Sequence, residues 1–215
     1  MAKGIFDYHL YIFDLDGTII DSSELMLKSL AYATKDIEGY IIDEKLFFSQ
    51  MGKKLEEIFD ILGIDPSLAA LYRQYSAKHQ DEIKVFEEVI AFIKGLKSQN
   101  KLVTINTGKE YVRTQKILGE MQLEELFDLV VCSDKLVNSK PHPESIYTTL
   151  ERLAITKEKT VMIGDSYQDI LCAQNAEIDS VFVGWGTATE SEIVSLNPTF
   201  IILEEKDLSE LIHNP

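Results

Sequence analysis

The chain has 215 residues, 45% hydrophobic and 27% charged, with 21 Lys plus Arg against 36 Asp plus Glu and a formal charge of −15. That length suits one domain, or one domain carrying a large insertion, and the composition is that of an ordinary soluble globular chain rather than a disordered tail or a membrane protein. The acidic surplus repels nucleic acid and anionic membranes at long range, so neither is an expected partner and an anionic ligand must be captured locally.

The N-terminal stretch MAKGIFDYHLYIFD lacks an apolar run long enough for a signal sequence, and nowhere do about 18 apolar residues follow one another. A cytoplasmic location is the expectation. Within YIFDLDGTIIDS, Tyr11 to Ser22, a greasy strand ends in Asp14 and Asp16, followed by Gly17 and Thr18. From Ser22 to about Lys84 no strand pattern stands out. In SSELMLKSLAYATKDI the residues Leu27, Leu30, Ala31 and Thr34 fall at helical spacing, and PSLAALYRQYSAKHQDEIK opens on Pro66, suited to a helix N-terminus.

From Val85 the texture alternates: helix EEVIAFIKGLKSQ, strand KLVTIN, helix EYVRTQKILGEM, strand FDLVVCS, helix PESIYTTLERLA, strand TVMIGD, helix YQDILCAQNA, strand SVFVGWG. Apolar strands separated by amphipathic helices predict an α/β fold, a Rossmann-like doubly wound parallel sheet. The first strand is too apolar to lie outside that sheet, so residues 1–21 and 85–215 form the core and 22–84 an inserted all-helical unit, hinged near 21–23 and 84–87. Cys132 and Cys172, in apolar surroundings and without a CxxC pair, read as reduced core thiols. The segment LEEKDLSELIHNP reads as an acidic helical tail.

In doubly wound sheets ligands bind beyond the carboxyl ends of the strands. Those ends carry Asp14 and Asp16, Thr107 and Gly108, Lys140 after a loop, and Asp165 with Asp169 in GDSYQD. Side chains two apart on a strand point to one side, so Asp14 and Asp16 can share a site, and Gly17 permits the sharp turn after them. Asp-Gly is also an ordinary turn and a strand-terminal Asp an ordinary cap; the convergence of all the pieces on one crevice favours chemistry. Clustered carboxylates need a cation, and an oxygen-only set without His or Cys favours Mg²⁺ over zinc.

The pattern resembles the haloacid dehalogenase superfamily, in its phosphatase branch and the phosphoglycolate-phosphatase-like group. DLDGT at Asp14 to Thr18 matches the first motif, Thr107 in NTGK the second, Lys140 in KPHPE the third, and GDSYQD at Gly164 to Asp169 the fourth; 22–84 stands where such proteins carry a cap. The GWG at Gly184 to Gly186 is similar to a segment that follows the fourth motif in many relatives. Two departures stand out: Gly108 where relatives usually have Asn, and Asn106 where they usually have an apolar residue, which makes the Asn106 amide a further candidate.

The resemblance implies phosphoryl transfer through an aspartyl phosphate. Asp14 is the expected nucleophile and Asp16 the general acid and base. Thr107, Gly108 and Lys140 are the expected phosphate holders. Mg²⁺ is expected on Asp14, Asp16 through its carbonyl, and Asp165, with Asp169 a ligand through water or an orienter. Asp16 favours ester hydrolysis over dehalogenation. In the helical unit Lys53 and Lys54, and beside the second motif Arg113, are candidates for reading the substrate, with a solvated surface as the alternative. A phosphomutase and an inorganic pyrophosphatase share these motifs. A receiver-type phospho-binding module needs only about 120 residues and no helical insert. The expected partner is a small-molecule phosphate, and the chain is expected as a monomer or weak homodimer.

Overall fold

The structure, a computed structural model, describes residues 4–188 and 193–208. In chain order, β1 (Leu10–Phe13) is followed by a two-residue strand β2 (Ile20–Asp21), by helices α1 (Ser23–Thr34), α2 (Glu44–Ser49), α3 (Leu55–Ile61) and α4 (Ala69–Lys78), and by a second two-residue strand β3 (Lys84–Val85). Helix and strand then alternate through α5 (Glu87–Ser98), β4 (Leu102–Thr107), α6 (Tyr111–Glu120), β5 (Leu129–Cys132), α7 (Glu144–Leu153), β6 (Thr160–Gly164), α8 (Tyr167–Ala176), β7 (Asp179–Val183) and β8 (Phe200–Ile202).

Six strands form one parallel sheet in the order β5-β4-β1-β6-β7-β8. The uninterrupted apolar run of β1 has a physical reason: both its faces are covered. Tyr11 and Phe13 meet Phe92 of α5 and share one buried cluster with Val89 of α5 and Ile117 of α6, whereas Leu10 and Ile12 belong to a second cluster with Ile146 of α7 and Cys172 and Ala173 of α8. The chain leaves β1 toward β4 and β5, then crosses to β6, β7 and β8. The strand order therefore reverses around β1, and a crevice opens there at the carboxyl ends. The doubly wound sheet expected from the alternation is what the chain adopts.

The segment between β2 and β3 has a core of its own, in which Leu30, Phe47, Ile58, Phe59 and Tyr72 are buried together. Phe59 and Tyr72 meet edge-on, with centroids 6.1 Å apart and planes at 83°, the arrangement that aromatic quadrupoles favour. Asp43 caps α2 by accepting from the Leu46 amide at 2.9 Å. Pro66 does stand at a helical N-terminus, but of a 3-10 turn, Pro66–Leu68, capped by Asp65 and leading into α4.

Two features go beyond the sequence reading. The chain crossings at either end of the helical segment pair as an antiparallel ribbon, Ile20 with Val85 and Asp21 with Lys84, so they lie side by side. A sixth strand, β8, extends the sheet edge beyond β7. Runs of two or three residues carry no readable period, which is why neither was visible. Of the acidic tail, residues 205–208 are helical, and the rest of the predicted helix lies outside the described residues. No helix among the described residues is long and apolar enough to cross a membrane.

Candidate active site

The parallel ladder carries the nucleophile candidate to its place. The Asp14 amide donates to the Ile163 carbonyl at 2.9 Å, continuing the pairing of β1 with β6 by one residue and leaving the Asp14 carboxylate at the mouth of the switch point. Lys140 enters from the loop before α7 and donates to Asp14 Oδ1 at 2.7 Å and to Asp169 Oδ1 at 2.6 Å. Asp169 is held by the start of α8. Its amide and that of Ser166 exchange bonds with each other's side chains, a capping box, and Asp169 Oδ2 also accepts from Ser166 Oγ at 2.6 Å. The helix cap therefore orients a carboxylate toward Lys140.

Asp165 follows β6. Its Oδ1 accepts from Thr18 Oγ1 at 3.0 Å, and its Oδ2 from the Thr187 amide and hydroxyl at 2.8 and 2.9 Å. Glycines make room for it. A Cβ on Gly17, whose φ is +81°, would lie 2.3 Å from Asp165 Oδ2, and one on Gly186 2.2 Å from the same atom. The GWG segment thus serves the site by letting the chain pass against Asp165 and by delivering Thr187.

Asp14, Asp165 and Asp169 are all buried, and each offers an oxygen within 4.8 Å of the others. Burial pushes the Asp14 carboxyl well above its ordinary range; Lys140 opposes the shift, while Asp169 and Asp165 add to it. Burial likewise raises Asp165 to about 6, with Asp169 adding to it and the bonds from Thr187 and Thr18 acting against it. For Lys140, burial disfavours the charge, but Asp14 and Asp169 outweigh it and hold the ammonium above its usual range. One ammonium among three buried carboxylates leaves negative charge uncompensated. The donor set is oxygen alone, which fits a hard divalent cation such as Mg²⁺.

Asp16 stands on the other side of Asp14. Its Oδ1 accepts from Ser22 Oγ at 2.5 Å and pairs with Lys109 Nζ at 2.9 Å. Burial presses the Lys109 ammonium below its ordinary range, and Asp16 counters it. Thr107 is buried at the end of β4, with its hydroxyl accepting from the Lys109 amide at 3.1 Å. Gly108 has no room for a side chain, because a Cβ there would sit 2.8 Å from the backbone of Gly52 and Lys53 in the helical segment. Asn106 faces elsewhere: its amide oxygen accepts from Thr149 of α7 at 3.0 Å, and it is Thr107 that lines the cavity.

A cavity of about 230 Å³ lies between the helical segment and the sheet, lined by Asp14, Asp16, Thr107 and Gly108 on one side and by Lys53, Lys54 and Tyr72 on the other. Lys54 reaches across the seam to the Leu136 and Val137 carbonyls at 2.9 and 3.0 Å, and Lys53 donates to Gln50 Oε1 at 2.8 Å. Arg113 also lines it, donating to Ser76 Oγ at 2.6 Å. Every strand-end residue picked from sequence except Asn106 is thus gathered at one crevice. Lys109, Ser22 and Thr187 were missed, although Lys109 closes the NTGK stretch and its position beside Thr107 was a usable signal.

A family model described as haloacid dehalogenase-like hydrolase matches residues 11–183. The chain is 30% identical over 209 residues to pyrophosphatase PpaX of Listeria monocytogenes serotype 4a, covering 94% of this chain and 95% of that one. It is similarly 30% identical over 206 residues to pyrophosphatase PpaX of Bacillus mycoides, with the same coverage. Among solved structures, a predicted phosphatase from Clostridium acetobutylicum superposes with a TM-score of 0.84 at 26% identity, over 97% of this chain and 99% of that one. A haloacid dehalogenase-like family hydrolase from Streptococcus pneumoniae shares the fold with a TM-score of 0.81 at 23% identity, over 96% of this chain and 99% of the other.

Proposed function

We propose, from the premise that the chain belongs to the haloacid dehalogenase-like hydrolases, that it is a Mg²⁺-dependent phosphatase working on a small phosphate through an aspartyl phosphate on Asp14. The observation that carries this reading is Lys140, bonded to both Asp14 and Asp169 within a buried carboxylate cluster. A nucleophilic carboxylate beside a fixed ammonium suits attack on a phosphoryl group, whose negative oxygens the ammonium would neutralise.

In the first step an Asp14 oxygen bonds to phosphorus as the bond to the leaving oxygen breaks, and Asp16 gives that oxygen its proton. In the second, water bonds to phosphorus and passes its proton to Asp16, while the Asp14–phosphorus bond breaks and phosphate leaves. Thr107 and the Gly108 amide hold phosphoryl oxygens, and Ser22 with Lys109 keeps Asp16 in position. Asp14, the Asp16 carbonyl and Asp165 would hold Mg²⁺, with Asp169 acting through Lys140 or water; the ion would supply charge neutralisation at the transferring group. Residues 22–84 act as a cap that moves on the β2–β3 ribbon and closes over the crevice, excluding water until the leaving group departs.

The name of the 30% identical relatives favours a second substrate reading, inorganic pyrophosphate. The same residues would serve it, with phosphate itself as leaving group.

Asp14→Asn tests the proposal. The amide is isosteric but forms no phosphoenzyme, so phosphate release with Mg²⁺ across phosphate monoesters and pyrophosphate is expected to vanish while thermal unfolding stays cooperative. Retained turnover would remove Asp14 from its assigned role.

A further inference from the structure

Of the five cations lining the cavity, Lys109 and Arg73 are in ion pairs, whereas Lys53, Lys54 and Arg113 are held by neutral groups, and of these three only Arg113 keeps a buried nitrogen without an acceptor. Lys109 pairs with Asp16 at 2.9 Å. Arg73 pairs with Glu56 at 2.7 Å and Glu110 at 2.6 Å. Lys54 and Lys53 are engaged with carbonyl oxygens. Arg113, half-buried on α6, forms no ion pair with any of the described residues. One arm of its guanidinium donates to the Ser76 hydroxyl, its centre stands 5.9 Å from the Tyr72 ring centroid, and its buried Nε has no acceptor.

A partly desolvated guanidinium is costly to leave without an anion, and a chain with 36 acidic residues against 21 basic ones could readily supply one. Arg113 is instead held open toward the cavity, steadied by a hydroxyl and an aromatic face. The cavity's volume of about 230 Å³ falls below the roughly 300 Å³ at which pockets for drug-sized ligands begin.

We infer that the leaving group carries a second anionic head, a carboxylate or a phosphate, which docks on Arg113, so that this core residue, rather than the lysines of the helical segment, selects the substrate. The inference rests on the phosphatase reading of Asp14 and narrows it to small phosphates with two anionic ends. A guanidinium fork suits either head, since both present two coplanar or near-coplanar oxygens.

Titration calorimetry with Mg²⁺ and three unreactive probes separates the outcomes: methylphosphonate with one anionic head, phosphonoacetate with an added carboxylate, and methylenediphosphonate with an added phosphonate. The wild-type chain is expected to bind at least one two-headed probe about tenfold or more tightly than methylphosphonate, the preferred probe identifying the head. In Arg113→Gln, which can still donate to Ser76, that ratio is expected to fall toward one, and Arg113→Lys to keep part of it. A wild-type ratio near one, or an undiminished ratio in Arg113→Gln, would overturn the inference. A preserved ratio in a wild-type chain that releases phosphate from no substrate would leave the subsite standing and remove the phosphatase reading instead.

Discussion

Asp16 is gripped by Ser22 and Lys109, a grip that matters to turnover only through the proton transfers proposed for Asp16 itself. Asp16→Asn is expected to slow turnover by about 10²–10⁴-fold, the usual worth of a general acid and base. Lys109→Met is expected to lower kcat in the wild-type background but to add nothing to Asp16→Asn, because the two act as one unit. Fully additive losses in that double-mutant cycle would give Lys109 a separate role. Away from the site, burial pushes the Cys132 and Cys172 thiols up to about 11, so both stay protonated at pH 8 and alkylation by iodoacetamide is expected only on unfolding. Rapid labelling of the native chain would contradict the packing described. Asp14, Thr107, Lys140, Asp165 and Asp169 were legible in the sequence because each lies at or after a strand end, where the fold class alone brings residues together. Ser22 and Thr187 were not, because what matters in them is a contact made from another segment, and sequence spacing does not carry such contacts; Lys109 is signalled by its place beside Thr107, but not the Asp16 contact that gives it a role.

At the scale of elements, the loop from Met51 to Lys54 approaches the end of β4 so closely that Gly108 is the residue this packing admits. Gly108→Ala is therefore expected to push that loop away and raise KM, with thermal stability changed far less than by a core substitution. An unchanged KM would mean that the helical segment does not close on the site in this register. The helical segment is stabilised from within by its own aromatic core, and Phe59→Ala is expected to cost about 3–5 kcal/mol, read as a lower midpoint in urea. The alternation of strand and helix after Val85 made the sheet readable, because apolar runs of four to six residues covered on both faces leave a strong mark. The β2–β3 ribbon and β8 escaped, since their two or three residues are held by pairing rather than by any pattern of their own.

Across the whole molecule, a chain of charge −15 concentrates part of its negative charge where a cation would be held, yet gives Arg113 a hydroxyl and an aromatic face for partners rather than a carboxylate among the described residues. Mg²⁺ is expected to raise the thermal midpoint by relieving repulsion among Asp14, Asp165 and Asp169. Because Asp165 is pushed up to about 6, it binds a proton below that pH in competition with the ion, so the Mg²⁺-induced rise should be larger at pH 8 than at pH 5. A rise independent of pH would point to binding elsewhere. The most direct measurement of the central claim is rapid acid quench of the Asp16→Asn chain turning over with Mg²⁺ and an aryl phosphate whose leaving group departs without a proton, followed by peptide mass analysis. A phosphoryl group is expected on Asp14 in the peptide spanning Tyr11 to Ser22, accumulating because its formation from such a substrate needs no acid while its hydrolysis lacks a base. Phosphate released with no phosphoryl group on the chain, or with one on a different residue, would contradict the claim.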